Sequence, residues 1–223
     1  MVPVHYGARY LKEAVVTALS QQPPPLEVIV VDDHSDDDSV DVANSISGRI
    51  RVISTQVAGA AAARNAGVQA AGGALVAFLD ADDRWAPGAL ANLHEALLSA
   101  PGAAIAYGRV QEFCSPDVPV EVSNRLQPRP GALRGFIAGT FVFRASVFHQ
   151  VGPLDPGLRA GEVADWLSRV RNLGLTEAST DEVVLERRVH AGHLAAEKRA
   201  ARADLLKVVR SALARQRAQK ASG

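Results

Sequence analysis

Only one cysteine, Cys114, occurs in the 223 residues. That excludes an internal disulfide and any cysteine-based zinc or iron–sulfur centre, and it fits a reducing compartment. No apolar run approaches the ~20 residues of a membrane span, and no signal peptide precedes the first charged residue, Arg9. A cytoplasmic protein is therefore expected. Net charge is also lacking, because 24 Lys and Arg balance 24 Asp and Glu. What remains, 48% hydrophobic and 22% charged residues, is the composition of one soluble globular domain and not of a disordered, collagen-like or coiled-coil chain. A chain of this length buries roughly 70% of the surface its unfolded form exposes, enough to hold a core without a disulfide or metal.

The charge balance is uneven along the chain. Residues 187–223 carry 10 Lys and Arg against Glu197 and Asp204, whereas residues 1–186 carry 14 against 22 acids. The basic tail reads first as the solvated face of a surface helix, and second as a surface for an anionic, lipid-bearing membrane or for self-association into a homodimer. No nucleic-acid partner is expected.

Strand-like and helix-like segments alternate in the first half, which predicts an α/β fold with a mostly parallel sheet flanked by helices. Leu11, Val15, Ala18 and Leu19 recur at helical spacing within residues 10–21, and Pro23-Pro24-Pro25 stops that helix. Residues 26–31 read as a buried strand ending in Asp32-Asp33-His34-Ser35. Ser35 or Asp36 is expected to cap a helix running to about residue 45. A short strand over 51–54, a helix over 60–71 and a buried strand over 74–79 follow, the last ending in Asp80-Ala81-Asp82-Asp83. Pro87 opens a helix through residue 99, and 103–110 reads as a strand. Residues 111–130, interrupted by Pro116, Pro119, Pro128 and Pro130, read as a long surface loop. Beyond it come a strand over 140–144, a short helix over 145–151, a helix over 162–173, a strand over 183–189 and a basic amphipathic helix within 195–223. The chain is expected to form one domain, 1–194, with that helix as its C-terminal extension.

Two buried strands thus end in acidic clusters, and in an open α/β sheet the carboxyl ends of strands form the ligand-binding crevice. Carboxylates this close repel unless water or a cation balances them. Asp80 and Asp82 are two residues apart, so in extended backbone they point to one side and can approach one hard divalent cation, Mg²⁺ or Mn²⁺.

The order of motifs resembles the family 2 glycosyltransferases of GT-A fold. The resemblance rests on Tyr10-Leu11-Lys12-Glu13-Ala14, Val30-Val31-Asp32-Asp33-His34-Ser35, Ala63-Arg64-Asn65-Ala66-Gly67 and Phe78-Leu79-Asp80-Ala81-Asp82-Asp83. It continues through Gly139-Thr140-Phe141, Gly161-Glu162-Val163-Ala164-Asp165-Trp166 and Arg187-Arg188-Val189-His190. Such a family implies a Rossmann-like sheet and a metal-dependent, inverting transfer of a sugar from a nucleotide-sugar donor to an acceptor that the sequence does not identify.

By the same resemblance, Asp33 with Asp32 would receive the nucleotide base, with Arg64 and Asn65 nearby; Tyr6 or His5 would stack on the base, or Tyr6 would serve as plain core or rim packing. Asp80 and Asp82 would hold the metal that neutralises the departing diphosphate, joined by His190 as ligand or diphosphate donor. Trp85 would pack on a sugar face or beneath the following helix. Gly139 would line the acceptor side, where a missing side chain lets a ligand approach the backbone. The family's Glu-Asp pair, which supplies the base, is broken here by Val163. The segment resembles a subset of the family with G-E-x-x-D-W in place of that pair, which makes Asp165 the first candidate for the base and Glu162 the second; both also suit the N-terminal end of a helix as plain negative charge.

Two other readings compete. A GT-A-like nucleotide-binding module without catalysis is motivated by Val163 and by a first strand shorter than the ~5 or 6 residues usual for one, which implies either a late start to the sequence or a truncated strand. A sugar-phosphate nucleotidyltransferase is disfavoured, since no glycine-rich phosphate loop followed by lysine lies near the N-terminus.

Overall fold

The structure, a computed structural model, describes residues 1–116, 118, 128–190 and 208. β1 (Val2–Val4), β2 (Val28–Asp32) and β3 (Ile50–Ser54) form a three-stranded parallel sheet in that order. β2 is central and wholly buried, as its run of Val28, Ile29, Val30 and Val31 dictates. α1 (Ala8–Leu19) places Leu11, Ala14, Val15 and Ala18 against this sheet. α2 (Ser39–Ser45) and α3 (Ala60–Ala70) complete the crossovers.

A second sheet is mixed. It contains β4 (Leu75–Ala77), β5 (Arg84–Trp85), β6 (Ile105–Cys114), β7 (Leu133–Arg134), β8 (Phe141–Arg144) and β9 (Glu177–Val189), in the order β4-β8-β6-β9-β5 with β7 on β6. Only β6 and β9 pair in parallel; the other pairs are antiparallel. The two sheets meet where the Met1 nitrogen donates to Ala77 O at 2.8 Å and Leu79 N to Met1 O at 3.0 Å, the slanted pattern of parallel neighbours. β2 and β4 therefore run the same way and end at one rim. α4 (Ala89–Ser99) buries Leu93 and Leu97, while α5 (Ala145–Val151) and α6 (Glu162–Asn172) close over an aromatic cluster of Phe78, Phe141, Phe143, Phe148 and Trp166.

Several elements differ from expectation. Asp38, not Ser35 or Asp36, precedes α2 without capping it, and Asp37 Oδ1 accepts the Ser39 N–H at 3.1 Å. Ser35 and Asp36 serve the Tyr6 backbone N–H and hydroxyl instead, each at 3.1 Å. β6 runs on to Cys114, into the segment expected as loop, because it pairs with β9 along its whole length. β9 begins at Glu177, its first half disguised by Glu177, Ser179, Asp181 and Glu182. It also bulges: Tyr107 faces Ser179 and Val110 faces Leu185, so three steps on β6 answer six on β9.

The expected extension over 195–223, with its membrane or dimer role, lies outside the described residues except for Val208, which is helical, buried and beside Gly161. Among the described residues no helix is long and apolar enough to cross a membrane.

Candidate active site

Beyond β2 the chain reverses in a turn in which Asp32 Oδ1 accepts the Ser35 N–H at 3.2 Å. Asp33 is 6% exposed, and its two carboxylate oxygens accept the Gly59 N–H at 3.0 and 2.8 Å. Gly59 immediately precedes α3 and has φ 119°, a conformation that favours glycine. Asp33 is thus fastened to a helix N-terminus, where negative charge is favoured. His5 Nδ1 lies 2.6 Å from the Asp33 carbonyl oxygen, and Tyr6 beside it is more than half exposed.

The second acidic turn stands next to the first. A Cβ on Gly7 would come within 2.5 Å of Val4 Cγ2 and 3.3 Å of Ala81 Cβ, the residue between Asp80 and Asp82. Residues 4–7 therefore run between Asp33 and the acidic turn on this side. α3 makes the same link from behind. Gly59 grips Asp33, and about one and a half turns later Arg64 Nη2 reaches Asp80 Oδ1 at 2.5 Å.

Arg64 is almost fully buried and also donates from Nη1 to Glu162 Oε1 at 2.5 Å. Burial opposes its charge, but Asp80 and Glu162 outweigh that and hold its pKa above the ordinary value. Arg64 Nε is buried with no hydrogen-bond partner among the described residues.

β9 closes the site from the other side. His190, just past its end, places Nε2 3.1 Å from Asp82 Oδ2, and its ring centroid is 5.6 Å from that of Tyr10. Arg188, only 3% exposed, donates from its backbone N–H to Asp83 Oδ1 at 2.8 Å, from Nε to Asp82 O at 2.8 Å and from Nη1 to Ser115 Oγ at 2.7 Å. Its Nη2 pairs with Glu13, and the guanidinium lies over the rings of Tyr10 and Phe113. Burial pushes the Asp83 carboxyl well above the usual carboxylate range, with Asp82 and Asp80 adding to the rise.

Glu162 and Asp165, both buried, begin α6. Glu162 is turned to the acidic turn through Arg64. Asp165 Oδ2 accepts from Arg169 Nε at 3.0 Å, and Arg169 in turn holds the carbonyls of Val151 and Pro153.

Three predicted site residues serve packing. The Asn65 side chain donates to Leu154 O at 2.8 Å and accepts from Leu154 N at 2.9 Å, so both ends of the amide tie one loop to α3. Trp85 is inside the core, only 5% exposed, with Nε1 donating to Gly139 O at 3.1 Å. The space a side chain would need at Gly139 is taken by Leu185 Cδ1, 2.5 Å from a Cβ there.

An apolar cavity of about 390 Å³ lies where β2 and β4 begin, away from the carboxylates, lined by Pro23, Val28, Leu75 and Leu90 among others.

The rim offers oxygen donors from Asp80 and Asp82, an imidazole from His190 and the orphaned Arg64 Nε beside them. Among the described residues no three His, Cys, Asp or Glu side chains are grouped to hold an ion alone. The set fits a Mg²⁺ or Mn²⁺ site completed by phosphate and water oxygens.

Sequence reasoning missed Gly59, Arg188 and Asp83 as parts of this construction. A paired arginine near the end of the last strand, and a third acid within four residues, were the available signals.

A family model described as "Glycosyl transferase family 2" matches residues 1–152. The chain is also similar to the crystal structure of S. aureus TarS 1–349 in complex with UDP, with a TM-score of 0.72 and 17% identity over 96% of this chain and 64% of that one. The same protein in complex with UDP-GlcNAc gives a TM-score of 0.65 at 16% identity, over 86% of this chain and 58% of that one. The likeness is one of fold, and the chain spans a little under two thirds of those chains' length. No match is found among curated proteins.

Proposed function

This chain belongs to glycosyl transferase family 2, and from that membership we propose that it moves a sugar from a nucleoside diphosphate donor to an acceptor nucleophile with inversion at the anomeric carbon. The observation that carries this reading is the convergence of Asp33 and the Asp80–Asp83 turn on one rim, linked by Gly7 in front and α3 behind. Asp33, with Asp32 and Tyr6, is assigned to the base and ribose, whose N–H and O–H groups a carboxylate accepts well. The TarS complexes with UDP and UDP-GlcNAc favour a uridine nucleotide.

Asp80, Asp82 and His190 would hold Mn²⁺ or Mg²⁺, which when bound neutralises charge on the departing diphosphate. Arg188 and Asp83 keep Asp82 and His190 in register. Asp165 is assigned as the base that accepts the acceptor's proton, with Glu162 second. Arg64 adds positive charge where the diphosphate would lie.

The ion pairs of both α6 acids, Glu162 with Arg64 and Asp165 with Arg169, favour one competing reading, a nucleotide-binding module without transfer. Thermal denaturation with Mn²⁺ and a panel of nucleotide sugars tests the donor assignment. A ligand at a hundred times its Kd stabilises by about 2.7 kcal/mol, a rise of several degrees for a chain of this size. That rise is expected in the native chain and absent in Asp82→Ala. No shift with any nucleotide would remove the donor assignment; a shift without sugar transfer across acceptors would leave the binding module.

A further inference from the structure

Arg64 makes one single-point contact to each of two acids that belong to different parts of the proposed reaction, Asp80 on the donor side and Glu162 at the start of α6. Neither contact is the two-point fork that fixes an arginine on one carboxylate. The third donor, Nε, is buried and unpartnered among the described residues, so the guanidinium has hydrogen-bonding capacity that this arrangement does not satisfy. The Asp80 side chain is 36% exposed, whereas that of Arg64 is 6% exposed. Asp80 is therefore open to solvent on the side away from Arg64.

A guanidinium and a divalent cation on the same carboxylate repel each other. They cannot both hold Asp80 at full strength.

Resting on the donor reading above, we propose that Arg64 is the resident cation of the empty site: it neutralises Asp80 until a divalent cation and a nucleoside diphosphate bind, and then gives up Asp80 while keeping Glu162. The released Nη2 and the unpartnered Nε become donors for diphosphate oxygens, charge-assisted and close to a helix that already carries them into the site. Donor binding is then an exchange of one cation for another. Metal alone is resisted, and metal with diphosphate is accepted because Arg64 gains a new anion in place of the old one.

This makes two predictions of opposite sign, which a merely structural arginine would not produce. Mn²⁺ binding to the full chain is followed by loss of the free-ion electron paramagnetic resonance signal, with and without UDP. Arg64→Gln should bind Mn²⁺ alone at least tenfold more tightly than the native chain, and should lose most of the gain in Mn²⁺ affinity that UDP confers. Arg64→Lys, which keeps the charge, should stay near native for Mn²⁺ alone. If Arg64→Gln fails to fold because Glu162 is left buried and unpaired, the double variant Arg64→Gln with Glu162→Gln removes that charge and carries the same two expectations.

Unchanged or weaker binding of Mn²⁺ alone in a folded variant, with native binding of Mn²⁺ and UDP intact and lost in Asp80→Asn, overturns the exchange and leaves the donor reading standing. Failure of the native chain to bind Mn²⁺ even with UDP overturns both.

Discussion

The Arg188 N–H donates to Asp83 Oδ1 at 2.8 Å, which makes the end of β9 and the acidic turn after β4 a single hydrogen-bonded unit. Because the Arg188 side chain also holds Asp82 O, Ser115 and Glu13, the geometry of Asp82 and His190 depends on Arg188.

Replacing Arg188 should therefore damage stability first. Arg188→Met removes three hydrogen bonds worth about 1 kcal/mol each, and a loss of about 3 kcal/mol is expected by urea denaturation, with a midpoint fall of roughly 6–12 °C. Arg188→Lys should recover only a fraction, since an ammonium cannot span the same partners. A loss below 1 kcal/mol in Arg188→Met would show that the turn is held by other means.

Asp83 predicts a pH dependence. Its folded pKa lies above the unfolded one, so the folded chain keeps a proton where the unfolded chain has released it. Its favourable contribution is complete below the ordinary carboxyl range and is lost as pH rises through the folded value. Asp83→Asn keeps a neutral acceptor for Arg188 and should flatten this part of the stability profile as pH rises above the ordinary carboxyl range. Identical profiles for the two chains would mean that Asp83 is ionised in the fold.

Gly139→Ala separates packing from acceptor recognition. The added methyl meets Leu185, and overpacking of this kind costs about 1–3 kcal/mol. Acceptor KM should be unchanged in the folded fraction at low temperature. A raised acceptor KM with native stability would return Gly139 to the acceptor pocket.

The α6 acids can be told apart by turnover. Asp165→Asn should lower kcat by about 10²- to 10⁴-fold with donor binding intact, the usual effect of losing a general base. Glu162→Gln should leave more activity and weaken donor binding through Arg64. The reverse pattern would make Glu162 the base.

Much of this was legible from periodicity and termini. The runs that became β2 and β4, the helix over Ala145–Val151 and the two acidic ends stand out because burial and turn chemistry are local properties. β5, β7 and the first half of β9 are held by partners distant in sequence, so Glu177, Ser179 and Asp181 carry no local sign of being strand. The same limit applied at the site. Asp33 and Asp80 could be picked out as acids at strand ends, but not that Gly59 and Arg64 of one helix would tie them together. Asn65 and Gly139 looked available for ligand because a sequence does not show that Leu154 and Leu185 reach them first.

The three surplus residues of β9 leave the strand beyond them in step with β6. Directly paired residues share a face, and Glu186–Val189 stand opposite Gln111–Cys114, so it is this pairing and not the residue count that aims Arg188 and His190. The bulge is slack in the backbone: shortening it by one residue should leave Glu186–Val189 against the same partners, whereas sliding those partners by one would turn Arg188 to the other face.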